Sequence, residues 1–592
     1  MLKRQMAIVL TVGGLVLLLT LLMSLSVTAE PGPDLNASLA EIGSRPLVYP
    51  LDAEPGLDTS LMTDPSSLLV VGQLMEGLYA YRGDGTLEPA GALTHTASAD
   101  ASVFTFTLRP DAVWSDGEPV TAQHYVDSIL RHLDPATGSD YASWLMFDIE
   151  GAVDFYYGEI TDPDEVGVHA INDTTLEFTL TGPGGHFPSI AALFATYPVR
   201  LDLIDSDPDW TEPGHFLGNG PYLLTEWAHG SHLVLQRNPL YHDADQVQIE
   251  EVILPIIADP ADQLAAYEDD ALDASGVPYD EVSRILSDPI LSSELHPISF
   301  ACLYYVGLNT RLAPTDNATV RRALASAIDR DFIVNEVLNN PWRMGMTGAI
   351  PPGVPGYQGE EVGYPFNPTQ AQAYLAAAGY PGGVGFPGLE LWYNEGNEAV
   401  IESVAEQWRT NLDIDVATAS TDWMSYRGDL ADCREDPAAC SYHAYRWGWC
   451  MDYIDASNIL DAALHPDSPS DYTGWDNARY RELMDLARAE PQFNLRTGYF
   501  EEADEILVEE EAAIIPLLSI GNPSLVKSDI SFEYTHITRA RFAKWAITEQ
   551  VTGTIPSSGG LLSSPDGDIE LEFPAGAVTD SIIVTYTAQY IP

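Results

Sequence analysis

Apolar and polar positions alternate along most of this chain with two different periods. Val103 to Leu108 reads Val-Phe-Thr-Phe-Thr-Leu, which predicts a half-buried strand. Ser115-Asp116-Gly117 reads as a turn, and Thr121 as the N-cap of a helix reaching about Leu133, with Tyr125, Ile129 and Leu133 spaced four apart. A helix opens at Asn367-Pro368, with proline in its first turn, and stops at Gly379. Amphipathic helices are predicted over 398–412, 477–489 and 495–511, the last leading into the apolar run Ile514-Ile515-Pro516-Leu517-Leu518. Strand and helix patterns succeed one another without tandem repeats, an α/β layout. Residues 30–44 read as a linker, as does the stretch from Gly553 to Gly560. Asp568 to Phe573 and Ser581 to Thr587 then alternate like two short strands, resembling the start of a small β-sandwich. Two or three strands are too few to be independently stable, so this tail either docks on the main body or is a sandwich cut short.

One stretch carries chemistry on its alternation. His443 to Tyr453 places Arg446, Gly448, Cys450 and Asp452 at every second position, hence on one face of an extended strand. A cation and a carboxylate bracket two small residues, a layout that suits a short peptide lying along the strand. Its ammonium would meet Asp452, its carboxylate Arg446, and its backbone the residues between. The same pattern also describes a core strand with polar ends.

Composition narrows the classes. The chain has 592 residues, 45% of them hydrophobic, enough for several domains or one large multi-lobed unit. Its formal net charge is −62, and three of its 26 basic residues are lysines: Lys3, Lys527 and Lys544. Such a surface repels nucleic acid and anionic lipid, which excludes both as ligands. Lys3 and Arg4 precede an uncharged run from Gln5 to Ala29 that ends Val27-Thr28-Ala29. This reads as an export signal with a small residue at the cleavage position, or as an uncleaved anchor, since the run is long enough to cross a bilayer. Either way the bulk of the chain lies outside the cytoplasm. Four cysteines, at 302, 433, 440 and 450, suggest two disulfides in an exported protein, with three connectivities open. Cys433 and Cys440 bracket a short loop and form a natural local staple. No Cys-x-x-Cys spacing supports a metal site, and no cofactor is expected. Gly-x-Ser-x-Gly and His-Glu-x-x-His are absent and the 13 histidines are scattered, so a secreted hydrolase is a remote alternative.

Several motifs point to a known family. Arg446-Trp447-Gly448-Trp449-Cys450-Met451-Asp452-Tyr453 resembles the Arg-x-Gly-Trp-Cys-x-Asp-Tyr segment of bacterial oligopeptide-binding proteins, the family 5 extracellular solute-binding proteins of peptide ABC importers. Glu76-Gly77-Leu78, Phe104 to Arg109, Trp114 to Ala122, Asn219-Gly220-Pro221-Tyr222, Arg237-Asn238-Pro239 and Val320 to Arg330 resemble further landmarks in the family's order, from about residue 45 to about 548.

The resemblance implies a two-lobed, periplasmic-binding-protein-like clam of the large three-subdomain type. Lobe one would comprise 45–80, 205–302 and 520–548, subdomain two 81–204, and lobe two 303–519, with crossings near 302 and 520 and ligand trapped by hinge closure. It implies Asp452 for the ligand ammonium, Arg446 for its carboxylate, and backbone groups from Gly448 and Cys450. Tyr141 would reach in from subdomain two, and the Leu68-Leu69-Val70-Val71 stretch would offer backbone from lobe one. It implies Cys302–Cys450 as a disulfide, which leaves Cys433–Cys440. The partners implied are short peptides and membrane permease subunits, with the receptor a monomer. The same fold binding a non-peptide solute, or serving as a peptide sensor, stays open. Asp432 to Ser441 departs from the family as an insertion before the site strand, which puts ligand length and C-terminal recognition in doubt.

Overall fold

The computed structural model describes residues 45–555 apart from 341, 437–439, 535–539 and 549, together with short segments at 8–12, 15–19, 557–558, 560–563, 570–573 and 582–587. Its frame is a seven-stranded sheet built on two long neighbours, Leu295–Leu308 and Ile514–Val526. The first has 14 residues and spans about 46 Å by strand rise. They pair antiparallel from Leu295↔Leu525 to Gly307↔Ile514, and the register is interrupted between Ser299 and Leu303 and again at Tyr304/Tyr305. One end of this pair carries Ala274–Gly276. The other carries Ala444–Cys450, then Leu389–Asn394 and Val416–Thr421.

Two four-stranded sheets flank this frame. Tyr222–Ala228, His232–Arg237 and Glu251–Pro255 form an antiparallel set to which Leu47–Val48 adds in parallel. Ala92–Ala97, Val103–Leu108, Thr175–Thr179 and Val168–Asn172 form the other. In Val103–Leu108 the second, fourth and sixth residues are buried, as the alternation requires. The helix Ala122–Leu133 buries Tyr125, Ile129 and Leu133, and Thr121 N–H donates to His124 Nδ1 at 3.0 Å to close its first turn. Asn367 and Asn477 accept from the first turns of Pro368–Ala377 and Ala478–Ala489. The expected helix over 495–511 starts at Phe493, and its last turn widens into a π-type stretch, Ile506–Glu510.

The 81–204 stretch is fastened to the 453–496 stretch by backbone. Gly185 N–H donates to Arg488 O at 2.8 Å, while its carbonyl accepts from Arg496. Arg496 is itself ion-paired with Asp455, and both are buried. A β-carbon on Gly185 would stand 2.6 Å from Glu490 O, so this approach needs glycine. Ile454 N–H donates to Tyr81 Oη at 3.1 Å beside it.

In the tail the two expected strands form as Glu570–Phe573 and Ile582–Thr587, while the segment read as linker differs from expectation. Gln550–Ile555 is a strand paired with Ile582–Thr587, and Gly560–Ser563 pairs with Glu570–Phe573. The β-branched Val551, Thr552, Thr554 and Ile555 outweigh Gly553, so the segment read as linker contains strand. Ile8–Val12 and Leu15–Leu19 pair as short strands, while the rest of the export segment and the 30–44 linker lie outside the described residues. No helix among the described residues is long and apolar enough to cross a membrane.

Both disulfides form, Cys302–Cys450 and Cys433–Cys440. Cys302 faces Cys450 across neighbouring strands at a position where the two residues exchange no backbone hydrogen bonds, and their Cα atoms lie 4.0 Å apart. Such pairs stand closer than hydrogen-bonded ones, which suits a crosslink. The bridge spans 148 residues of sequence. The chain-entropy model gives a loop of that length up to about 5 kcal/mol. Replacing both Cys302 and Cys450 by serine is expected to lower the urea midpoint correspondingly. Peptide mapping without reductant should recover the same two pairs.

Candidate functional site

The strand Ala444–Cys450 offers one edge to a ligand. Met451 N–H donates to Ala301 O and Asn309 N–H to His443 O, both at 2.9 Å, so odd-numbered residues bond to the 295–308 strand. By antiparallel alternation, the backbone groups of Arg446, Gly448 and Cys450 point the other way. On that side Leu389–Asn394 pairs only at Leu391↔Ala444 and Trp392↔Tyr445. Tyr426 Oη donates to Arg446 O at 2.6 Å. Beyond it, Gly448 and Cys450 face an edge that carries no further strand among the described residues. A β-carbon on Gly448 would meet Leu303 O at 3.3 Å and Arg446 Nη2 at 3.4 Å, so the Arg446 side chain lies along this face.

Asp452 sits past the strand, which ends at Cys450. The alternate-residue argument therefore holds through 450, and a bend places the carboxylate. Asn458 fixes that bend: its Oδ1 accepts from Trp449 Nε1 at 2.8 Å and from Asp452 N at 3.4 Å. Tyr141, at the start of the short helix Tyr141–Leu145, donates its hydroxyl to Asp452 Oδ1 at 3.0 Å. Tyr141 is held by its ring packing on Phe194 at 5.5 Å. Burial pushes the Asp452 carboxyl above its usual range, and the bonds from Tyr141 and Asn458 offset only part of that. No cation among the described residues compensates it.

Asp452 and Tyr141 line a cleft of about 270 Å³, together with Met451, Glu76, Tyr81 and Arg541. Val70 does not belong to it. It lies within the helix Pro65–Leu74, fully buried, where backbone groups are spent on helical bonds and cannot pair with a ligand. Leu68, Leu69 and Gly72 of that helix reach the cleft instead. Arg446 and Gly448 are not on the cleft wall. The Arg446 guanidinium stacks over Tyr304 at 4.3 Å and donates to Asn394 Oδ1 at 3.2 Å, with no acidic partner among the described residues. The Cys450 thiol is spent in its disulfide, leaving backbone alone to offer. Trp423 stacks on Trp447 at 5.3 Å.

Two cleft residues carried no site signal in the sequence. Glu76 accepts from Tyr241 Oη at 2.8 Å and pairs with His242 Nε2 at 2.6 Å. Burial acts to lower the His242 value, but the Glu76 carboxylate holds it above its usual range. Arg541 donates through Nη1 to Tyr81 O at 2.8 Å and to Glu88 Oε1 at 2.7 Å.

A ligand-sized cleft between the 451–452 turn and the 68–81, 192–197 and 540–543 segments, in a body of separate α/β sheets joined through two long strands, defines a two-lobed solute-binding receptor. The chain belongs to the bacterial extracellular solute-binding proteins, family 5, whose model matches residues 86–471. It is similar to the oligopeptide-binding protein OppA of Bacillus subtilis, with 29% identity over 510 residues, 84% of this chain and 91% of the relative. Among solved structures, the unliganded open form of the periplasmic murein tripeptide-binding protein MppA superposes with a TM-score of 0.79 at 28% identity, covering 86% of this chain and 98% of that one. Haemophilus influenzae OppA in complex with the peptide RPPGFSPFR scores 0.57 at 27% identity, over 85% of this chain and 98% of that one.

Because the folded Asp452 value lies above the ordinary 3.8, its ionised form costs stability at neutral pH, and the cost is relieved as pH falls through the folded value. Asp452→Asn keeps the oxygen that Tyr141 uses and removes the charge. It is expected to stabilise the unliganded protein at neutral pH by about 1 kcal/mol, the usual gain from relieving a functional-site cost. Thermal melts at neutral and mildly acidic pH should show that gain shrinking as the pH is lowered.

Proposed function

We propose that this chain is the extracytoplasmic receptor of a peptide ABC importer, capturing short peptides in the Asp452 cleft and delivering them to permease subunits in the membrane. One observation carries the reading: Asp452 is a largely buried carboxylate, oriented by Tyr141 and Asn458, with no cation of its own among the described residues. A ligand α-ammonium supplies the missing charge through a charge-assisted bond worth roughly 1.5–3 kcal/mol. The open edge at Gly448 and Cys450 gives the ligand backbone a strand to pair with, independent of its side chains. That OppA binds oligopeptides, MppA a murein tripeptide and the H. influenzae relative the peptide RPPGFSPFR supports peptides over other solutes. These relatives are binding proteins, and catalysis has no part in the reading. The uncharged run at 5–29 supports export or anchoring, and the periplasmic location of MppA agrees with it.

Closure is the second element. The better fit to an unliganded open form than to a peptide complex supports an open resting state in this structure. The lobes, 45–80 with 205–302 and 520–548 on one side and 303–519 on the other, would pivot where the long strands lose register, between Ser299 and Leu303. Subdomain two, 81–204, supplies Tyr141. Arg446 lies outside the cleft here, on the same lobe as Asp452, and closing would bring lobe one over the strand between them.

Asp452→Ala is expected to weaken binding of free-amine peptides about tenfold or more, since 1.4 kcal/mol is a factor of ten. Calorimetry with free and N-acetylated forms of one peptide tests this, and equal affinity of the wild type for both would sink the ammonium assignment. Ligand is also expected to reduce the radius of gyration in solution scattering. It should raise the melting temperature, with stabilisation of about 2.7 kcal/mol at a hundredfold excess over the dissociation constant. A rise in melting temperature without compaction would rule out closure.

A further inference from the structure

Charge on the cleft wall is scarce. Glu76, Asp452 and Arg541 are the charged residues lining it. Glu76 is committed to Tyr241 and His242, and Asp452 awaits a cation. Arg541 is the cation of the set, and it is half committed. Its Nη1 serves Tyr81 O and Glu88, while Nε and Nη2 make no hydrogen bond to the described residues.

Glu88 does not neutralise it. The same carboxylate also takes Arg82 Nε at 3.3 Å and Lys544 Nζ at 3.5 Å. Three cations thus converge on one acid in a chain with 26 basic and 88 acidic residues. Burial would raise the Glu88 value, yet the surrounding cations hold it below its ordinary range. The nearby acids are engaged elsewhere: Asp84 with Thr86, and Glu533 with Gly83 N. The Nε–Nη2 edge of a guanidinium is the fork that a carboxylate fills with two parallel bonds.

We propose that Arg541 is a carboxylate subsite of this cleft, so that the preferred ligands carry a carboxylate close to their N-terminal ammonium. That carboxylate is either the α-carboxylate of a dipeptide or an acidic side chain near the start of a longer peptide. The inference rests on the reading that Asp452 takes the ammonium. It differs from the Arg446 assignment because Arg541 lies on the cleft wall and Arg446 does not.

Calorimetry on the full chain with two matched pairs tests it: Ala-Ala against its C-terminal amide, and Ala-Glu-Ala against Ala-Gln-Ala. In the wild type, the carboxylate member of at least one pair is expected to bind about tenfold tighter. The pair that does so identifies the source of the carboxylate. Arg541→Gln should abolish that difference, and a cooperative thermal melt like that of the wild type shows that the protein has folded. Arg541→Lys should restore part of it. Equal binding within both pairs, or a difference that persists in Arg541→Gln, overturns the proposal. Asp452→Ala serves as the separate control. If it leaves free-amine peptides unaffected, the ammonium reading fails, whereas the carboxylate difference is still decided by Arg541 alone.

Discussion

The backbone ladder between Leu295–Leu308 and Ile514–Val526 is the constraint on which the rest depends. At one end it is bonded to Ala274–Gly276 and packs on a small apolar cluster including Leu264, Tyr267 and Leu525. At the other it carries Val306 and Leu518 into a larger cluster with Leu391 and Trp408. Regular antiparallel pairing resists bending because each bond constrains its neighbours. Compliance therefore concentrates where the ladder is broken, between Ser299 and Leu303. The Cys302–Cys450 bridge fastens the site strand beside that break. Asp452 lies two residues beyond the bridge, so its position relative to the break is set by covalent geometry and one short turn.

That turn holds two aspartates with opposite fates. Asp455 is buried against Arg496, which also bonds the Gly185 carbonyl, so its charge is matched inside the protein. Asp452, three residues earlier, accepts from a tyrosine and has no cation among the described residues. A buried ion pair contributes little net stability against a hydrophobic replacement, but losing one partner costs several kcal/mol. The Arg496 contact is thus suited to hold the turn in one geometry. The Asp452 carboxylate is suited to bind a cation, because its partial burial strengthens a charge pair relative to open water.

Local patterns in the sequence reached several elements around the frame and the start of one of its long strands. Val103–Leu108, the helix starts at Thr121 and Asn367, the helix over 477–489 and the run into Ile514 each state their structure within a few residues. Val70 lies off the cleft wall, and a local signal for this is present in the sequence. Asp64-Pro65 is an N-cap followed by proline in the first turn, and Asp64 does accept from Ser67 N, which makes 65–74 a helix rather than ligand-pairing backbone. Strand periodicity could not anticipate the bend that sets Asp452, because that bend depends on Asn458 bonding Trp449. Arg541 was illegible for a different reason. Its role comes from lying beside Tyr81 and Glu88, some 450 residues away in sequence, and no spacing rule spans that interval.

The extreme acidity sharpens the meaning of the few cations. In a field set by 88 acidic and 26 basic residues, an arginine is drawn strongly toward any available carboxylate. Arg45, Arg131, Arg284, Arg479 and Arg488 all follow that rule. Arg446 does not, resting instead on an aromatic face and an amide oxygen. Arg541 follows it only through one nitrogen, on a carboxylate it shares with two other cations. Cations left uncommitted under such pressure stand where the surrounding geometry keeps acids away. Arg311, Arg322 and Arg330 also spend their guanidinium groups on backbone carbonyls rather than carboxylates, so Arg446 and Arg541 are set apart by place: one lies along the open face of the site strand, the other on the cleft wall. Salt would weaken the long-range field of the acidic surface well before it weakened contacts inside the cleft, because buried charges are screened less. The acidic exterior and the cleft interior are therefore separable: salt acts first on the surface field, while the cleft wall carries its own few charges, Glu76, Asp452 and Arg541.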